Sequence, residues 1–223
     1  KSKTLSVFLP ERKMKVIAFS LWGDSPKYTV GAVKNVEIAK EIFPDWTCRF
    51  YLGTDVPKHI VRQLGALDAE CCPMIGTGWN GMFWRFFAAD SHDTVICRDT
   101  DSRLGLREKA AIDEWLKSDK DFHIMRDHPF HATEILGGMW GARNGILRGI
   151  RTMIKQHSNG SFDNKYQVDQ NFLRDVIYPM VKDDAMVHDE FFEKKPFTKN
   201  APARTNSYFV RQVYSHSDIA EFK

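Results

Sequence analysis

The chain has 223 residues, 43% of them hydrophobic and 27% charged, enough for one globular domain with a sizeable core. Its 32 basic and 29 acidic residues leave a net charge of +3. That near balance, without a long run of one sign, gives no electrostatic footprint for nucleic acid. Lys15 to Leu21 (KVIAFSL) reads as a buried strand that runs into Trp22-Gly23-Asp24. Ser25-Pro26 is an N-cap with proline at the first helical position, and Val30, Val33, Val36 and Ile42 carry a helix to about Phe43. Thr47 to Leu52 is a second strand. Pro57 opens a helix to about Leu67, and a short strand falls around Glu70 to Met74.

Ile75 to Gly81 is a glycine-rich loop, and Met82 to Ala89 (MFWRFFAA) is a strongly apolar helix. Val95 to Cys97 is a buried strand leading into Arg98-Asp99-Thr100-Asp101. Arg107 to Ser118 is an amphipathic helix, Phe122 to Met125 a strand, and Arg126 to His131 a polar loop containing proline. Ile135 to Ala142 (ILGGMWGA) is apolar with three glycines, and Gly145 to Gln156 is a basic helix. Asp169 to Val176 is a short helix and Ala185 to His188 a last strand. An irregular tail rich in Lys, Pro and Asn follows. Strands alternating with helices predict an α/β fold with a mixed, mostly parallel sheet covered by helices on both faces. The expected division is one domain over residues 13–200, an extension over 1–12 and an irregular tail over 201–223.

Cys48, Cys71, Cys72 and Cys97 lack paired C-x-x-C spacing, which argues against zinc. Their apolar flanks read as buried free thiols of a reducing, cytoplasmic compartment. No apolar run is long enough to span a membrane. Lys1 to Arg12 lacks the apolar segment of a signal peptide, and the missing initiator Met suggests a piece of a longer protein.

The chemistry is expected at Asp99 and Asp101. Side chains two apart on an extended segment point the same way, so the two carboxylates can share one cation. Ligands collect where the strands of an open α/β sheet end. The tripeptide alone is weak evidence, since Asp119-Lys120-Asp121 has the same form, but that one follows no buried strand and reads as a solvated turn. A phosphatase with Asp99 as nucleophile fits less well, because Arg103 stands where that class carries other residues. A non-catalytic sugar-nucleotide-binding domain of a larger protein is a third reading.

Three further segments extend the pattern. Phe83-Trp84-Arg85-Phe86 precedes the strand, Gly137-Gly138-Met139-Trp140-Gly141 follows it, and Asp169-Gln170-Asn171-Phe172-Leu173 comes next. His188 and Lys194-Lys195-Pro196-Phe197 close the series. In this order they resemble the motifs of GT-A glycosyltransferases, the glycogenin-like families in particular. The chain also resembles glycosyltransferase domains of large DNA viruses that decorate capsid glycans, which would place it in the host cytoplasm. The resemblance implies transfer of a sugar from a nucleoside diphosphate, UDP first, to a glycan or glycoprotein acceptor, with retention favoured. It implies Mn²⁺ or Mg²⁺ held by Asp99, Asp101 and His188. It also implies diphosphate contacts from Arg85, Lys194 and Lys195, and Asp169 and Gln170 beside the anomeric carbon. Ser20, Trp22 and Gly23, at the end of the first strand, are placed to meet the nucleotide. Asp127 or Asp169 would be the base of an inverting enzyme.

Overall fold

The computed structural model describes residues 13–76, 78–91, 93–158, 167–205 and 209–214. Its centre is a seven-stranded sheet built from β1 (Lys15–Leu21), β2 (Thr47–Leu52), β3 (Glu70–Pro73), β4 (Thr94–Arg98), β5 (Phe122–Arg126), β6 (Trp140–Ala142) and β7 (Ala185–Asp189). The spatial order is β3-β2-β1-β4-β6-β5-β7. All neighbouring pairs are parallel except those made by β6, which runs antiparallel to both β4 and β5. This is the mixed, mostly parallel sheet that the alternation of elements predicts.

Period-two alternation along the strands sorts the side chains into two cores. Ile17, Phe19, Phe50, Ile96 and Trp115 pack on one face, beneath α1 (Pro26–Ile42), α2 (Lys58–Ala66) and α3 (Leu106–Lys117). Val16, Ala18, Val95, Cys97, Ile124 and Trp140 point to the other face. There they meet the segment Gly78–Asp90, α4 (Ile150–His157) and the run from α5 (Val168–Phe172) to α6 (Tyr178–Val181). All four cysteines are free, and burial pushes the Cys48 and Cys97 thiols up to about 12, so they act as packing groups. Among the described residues no helix is long and apolar enough to cross a membrane.

Three local expectations change. Gly78–Asp90 is a 3-10 helix, not the α-helix expected over Met82 to Ala89. Its large rings at Phe83 and Phe86 recur every third residue, the repeat that eclipses side chains in this geometry. The basic helix starts only at Ile150, because Gly145 and Gly149 take left-handed backbone with φ of 75° and 88°. Between α5 and α6 the chain widens into a π turn, Leu173–Ile177. Pro179 lies four residues after Asp175 and has no N–H to give its carbonyl, and a wider turn relieves that mismatch. Ser25 does precede α1, yet only its carbonyl works there, accepting the Thr29 N–H at 3.0 Å.

Candidate active site

β4 delivers Asp99 and Asp101 to the carboxyl edge of the sheet, beside the end of β1. The turn that carries them is clamped by α1. A β-carbon on Gly31 would fall on the Thr100 carbonyl, so only glycine lets the helix lie this close. One helical turn later the buried Asn35 donates to the Ser102 carbonyl at 2.8 Å and accepts the Leu104 N–H at 2.9 Å. Beneath the turn, the buried Arg98 pairs with Glu108 at 2.5 Å and donates to the Cys97 and Trp140 carbonyls.

Asp99 and Asp101 open into a cavity of about 450 Å³. Ser20, Trp22, Arg85, Asp169 and Gln170 line the same cavity, so seven of the expected site residues meet in one place. Arg85 organises them. Its backbone N–H donates to Ser20 Oγ at 2.9 Å, and its guanidinium donates to the Gly137 carbonyl at 3.2 Å and the Met82 carbonyl at 2.8 Å. One Nη atom lies 2.8 Å from Asp169 and 3.3 Å from Asp99. Gly137 and Gly138 press their backbone against these groups. A β-carbon on Gly137 would stand 2.6 Å from both Arg85 and Asp169, and one on Gly138 would collide with the Asp99 carboxylate.

The electrostatics follow from this packing. Burial raises the Asp99 pKa, but the guanidinium groups of Arg211 and Arg85 outweigh it and bring the carboxyl down to about 2. Asp169 goes the other way, because burial pushes it up more than Arg85 pulls it down. Gln170 Oε1 is buried with no hydrogen-bond partner among the described residues, an acceptor left for a donor group in the cavity.

The other expected residues stand elsewhere, and each has a physical reason. His188 is on β7, where alternation turns it to the face under α3. It lies 2.8 Å from His123 and 3.5 Å from Glu114, away from the carboxylate pair. Among the described residues no three His, Cys, Asp or Glu groups cluster as a metal cage, and His188 does not join Asp99 and Asp101. Asp127 is fully buried and accepts two bonds from Arg107, both at 2.8 Å, and the Val210 N–H at 2.9 Å. A carboxylate held that way is a structural counter-ion, not a base facing an acceptor. Lys194 and Lys195 are exposed and do not line the cavity. They sit in a turn in which the Lys195 carbonyl accepts the Asp189 N–H at 2.9 Å. Gly23 only supplies the positive φ of the turn after β1. In the comparison tripeptide, Asp121 is taken up by Arg143 at the turn before β5.

Four lining residues escape sequence reasoning. Tyr28 and Trp79 are 39% and 40% exposed and add aromatic rings beside Trp22. Lys27 pairs with Asp101 at 2.9 Å. Arg211, in the tail, donates from Nε to Asp99 Oδ2 at 2.7 Å. Lys27 could have been suspected as a cation in the first turn of α1. Nothing around Arg211 marks it, since it arrives only by the return of an irregular segment.

No family model matches the chain, and no curated protein matches it. Solved structures do. Glucosyl-3-phosphoglycerate synthase from Mycobacterium tuberculosis, bound to phosphoglyceric acid, superposes with a TM-score of 0.52 at 14% identity, over 82% of this chain and 71% of its own. The same synthase with Mn²⁺, UDP-glucose and glycerol 3-phosphate gives 0.51 at 15%, over the same shares. A glycosyltransferase involved in glycosylation of the major capsid of PBCV-1 gives 0.47 at 16%, over 79% of this chain and 82% of its own. At such identities the likeness to the synthase is one of fold, and the fold is that of GT-A glycosyltransferases.

Proposed function

We propose that the protein is a metal-dependent glycosyltransferase that moves a sugar from a nucleoside diphosphate, UDP in our reading, to an acceptor hydroxyl on a glycan. The observation that carries this is the meeting of Asp99, Asp101, Asp169 and Gln170 in one cavity at the carboxyl edge of the sheet. Such an edge is where open α/β sheets bind ligands. The synthase of like fold has been crystallised with Mn²⁺ and UDP-glucose, which supports the donor class.

The donor set fits a hard divalent ion. Asp99 and Asp101 offer carboxylate oxygens from one short turn, a set suited to Mg²⁺ or Mn²⁺. When bound, the ion would act as a Lewis acid on the departing diphosphate. The protein's own residues do the rest. Arg85 fixes Asp169 and Asp99 relative to each other. Trp22, Tyr28 and Trp79 offer rings to a base. Gln170 Oε1 accepts a sugar hydroxyl, and Asp169 lies beside it for the anomeric carbon. Retention is the outcome we propose: Asp127, one of the two candidate bases of an inverting enzyme, is locked by Arg107, and the other, Asp169, is held by Arg85 beside Gln170.

The acceptor side is read from an aromatic patch next to Arg211. Phe130 is 89% exposed, its ring centre is 5.0 Å from that of His128, and His128 stacks on Phe209 at 4.4 Å. Sugar rings pack their C–H faces on such surfaces.

The test is thermal shift with nucleotides and nucleotide sugars, with and without Mn²⁺. Metal-dependent stabilisation by UDP ligands is expected, along with slow metal-dependent hydrolysis of a UDP-sugar. The Asp99→Asn/Asp101→Asn variant should lose both while keeping its far-UV spectrum. Asp101→Asn alone serves as the milder variant, since Asp101 is less deeply paired than Asp99. No metal-dependent shift in the native protein, or full activity in the double variant, would sink the reading.

A further inference from the structure

The charges around the cavity cancel without any metal. Among the described residues its charged lining consists of Asp99, Asp101 and Asp169 facing Lys27, Arg85 and Arg211. Each oxygen of Asp99 already has a cation: Oδ2 receives Arg211 Nε at 2.7 Å, and Oδ1 lies 3.3 Å from Arg85. The Gly138 backbone closes the remaining side. Asp101 carries Lys27 at 2.9 Å. A divalent ion arriving alone would therefore add its whole charge to a lining whose described charges already balance, and compete with bonded cations.

The three cations are not equally able to yield. Arg85 is buried and also holds the Gly137 and Met82 carbonyls, so it stays. Lys27 has a side chain 39% exposed and yields at little cost. Arg211 decides the matter, because it occupies the oxygen a metal needs. Its backbone is pinned on both sides: Val210 N–H donates to Asp127 at 2.9 Å, and Tyr214 N–H donates to the Asp101 carbonyl at 2.8 Å. Val213 bridges to Ser102. With its backbone anchored, only the Arg211 side chain is left to swing. The Arg211 side chain is 30% exposed, so a guanidinium that leaves Asp99 can go to water, but an anion of fork geometry holds it away more firmly, and a diphosphate supplies one.

We infer that Arg211 makes divalent-metal binding conditional on the diphosphate: it is the resident cation of Asp99, and it gives way to the metal most readily when phosphate oxygens receive it. This rests on the metal–diphosphate reading above. It assigns to a tail residue a positioning role, namely coupling the two ligands so that each raises the affinity for the other by the same factor.

Binding of Mn²⁺ itself, followed by electron paramagnetic resonance of the free ion and by calorimetry, tests this without turnover. The native protein should bind Mn²⁺ alone weakly and bind it far more tightly with saturating UDP. Arg211→Gln should bind Mn²⁺ alone about tenfold tighter or more, as expected for removing one charge at hydrogen-bond distance from a part-screened site, and the enhancement by UDP should shrink. Arg211→Lys keeps the charge and should retain most of the coupling, which separates this role from a merely structural one. If Arg211→Gln binds Mn²⁺ no tighter than the native protein, while the native protein binds Mn²⁺ with UDP, the inference is overturned and the glycosyltransferase reading stands. If neither binds Mn²⁺ with or without UDP, both fall.

Discussion

A methyl group on Gly138 would occupy the space of the Asp99 carboxylate. That carboxylate cannot step aside freely, because Arg211 and Arg85 hold it from two directions. Gly138→Ala should therefore displace the Asp99 oxygens by a fraction of an ångström to about 1 Å, while leaving both cores untouched. The expected result is a loss of about 100-fold in kcat/KM for UDP-sugar hydrolysis, the scale typical of a misplaced reacting group, with a melting temperature close to the native value. Steady-state kinetics and a thermal melt on the same sample check it. Residues at this scale were unevenly legible in the sequence. Asp99 and Asp101 stand out because the buried run Val95 to Cys97 delivers them. Arg85 and Asp169 stand out only in the company of the other motifs. Arg211 carries no such signal, since a lone arginine in an irregular tail looks like any solvated charge. His188 misleads for a related reason: its chain position suggests a ligand, but strand alternation sends it under α3 to His123.

At the level of elements, the 3-10 segment Gly78–Asp90 ties the aromatic wall of the cavity to the core. Thirteen residues is long for this geometry, whose hydrogen bonds are poorer than those of an α-helix. Packing holds it, with Phe83 and Phe86 edge-to-face at 6.0 Å and Phe86 against Trp140 at 5.2 Å. Gly81 is the tight point, where a β-carbon would stand 2.5 Å from Trp22 Cε3. Gly81→Ala should push the indole outwards, costing about 1–3 kcal/mol as over-packing does, and should weaken nucleotide binding at the same time. Urea unfolding and calorimetry with UDP would report the two effects, and unchanged UDP affinity would free Trp22 from any part in base stacking. The sequence showed that this segment was helical and apolar. It did not show which helix, because apolar residues three apart serve an α-helix and a 3-10 helix alike, and the deciding contact with Trp22 is tertiary.

For the whole molecule, the half of the sheet beyond β4 holds neutral histidines. Burial lowers the His131 pKa to about 3, Arg211 adding to the effect, and burial also lowers His123 and His188. A histidine whose folded pKa lies below its unfolded 6.5 binds its proton more readily in the unfolded chain. Stability is then full above about 6.5 and falls as the pH drops towards the folded value. For His131 the linkage amounts to about 2 kcal/mol between about pH 7.5 and about pH 5. Urea titrations at those two pH values should show the native protein losing at least that much, and His131→Gln losing about 2 kcal/mol less. Equal losses in both proteins would mean that His131 is not the group responsible. The strand–helix alternation made the overall architecture readable, whereas the reversed strand β6 was not, since three residues of apolar sequence carry no mark of direction. That reversal governs which changes in length the site tolerates. Cys97 pairs with Trp140 in the antiparallel register, so Asp99, two residues beyond the one, falls opposite Gly138, two residues before the other. The ladder thus works as a ruler between two segments far apart in the chain. Residues added to the exposed part of the loop around Phe130 leave this register unchanged. A single residue inserted between Met139 and Trp140 would shift the ruler by one mark and set Met139, not glycine, against the Asp99 carboxylate.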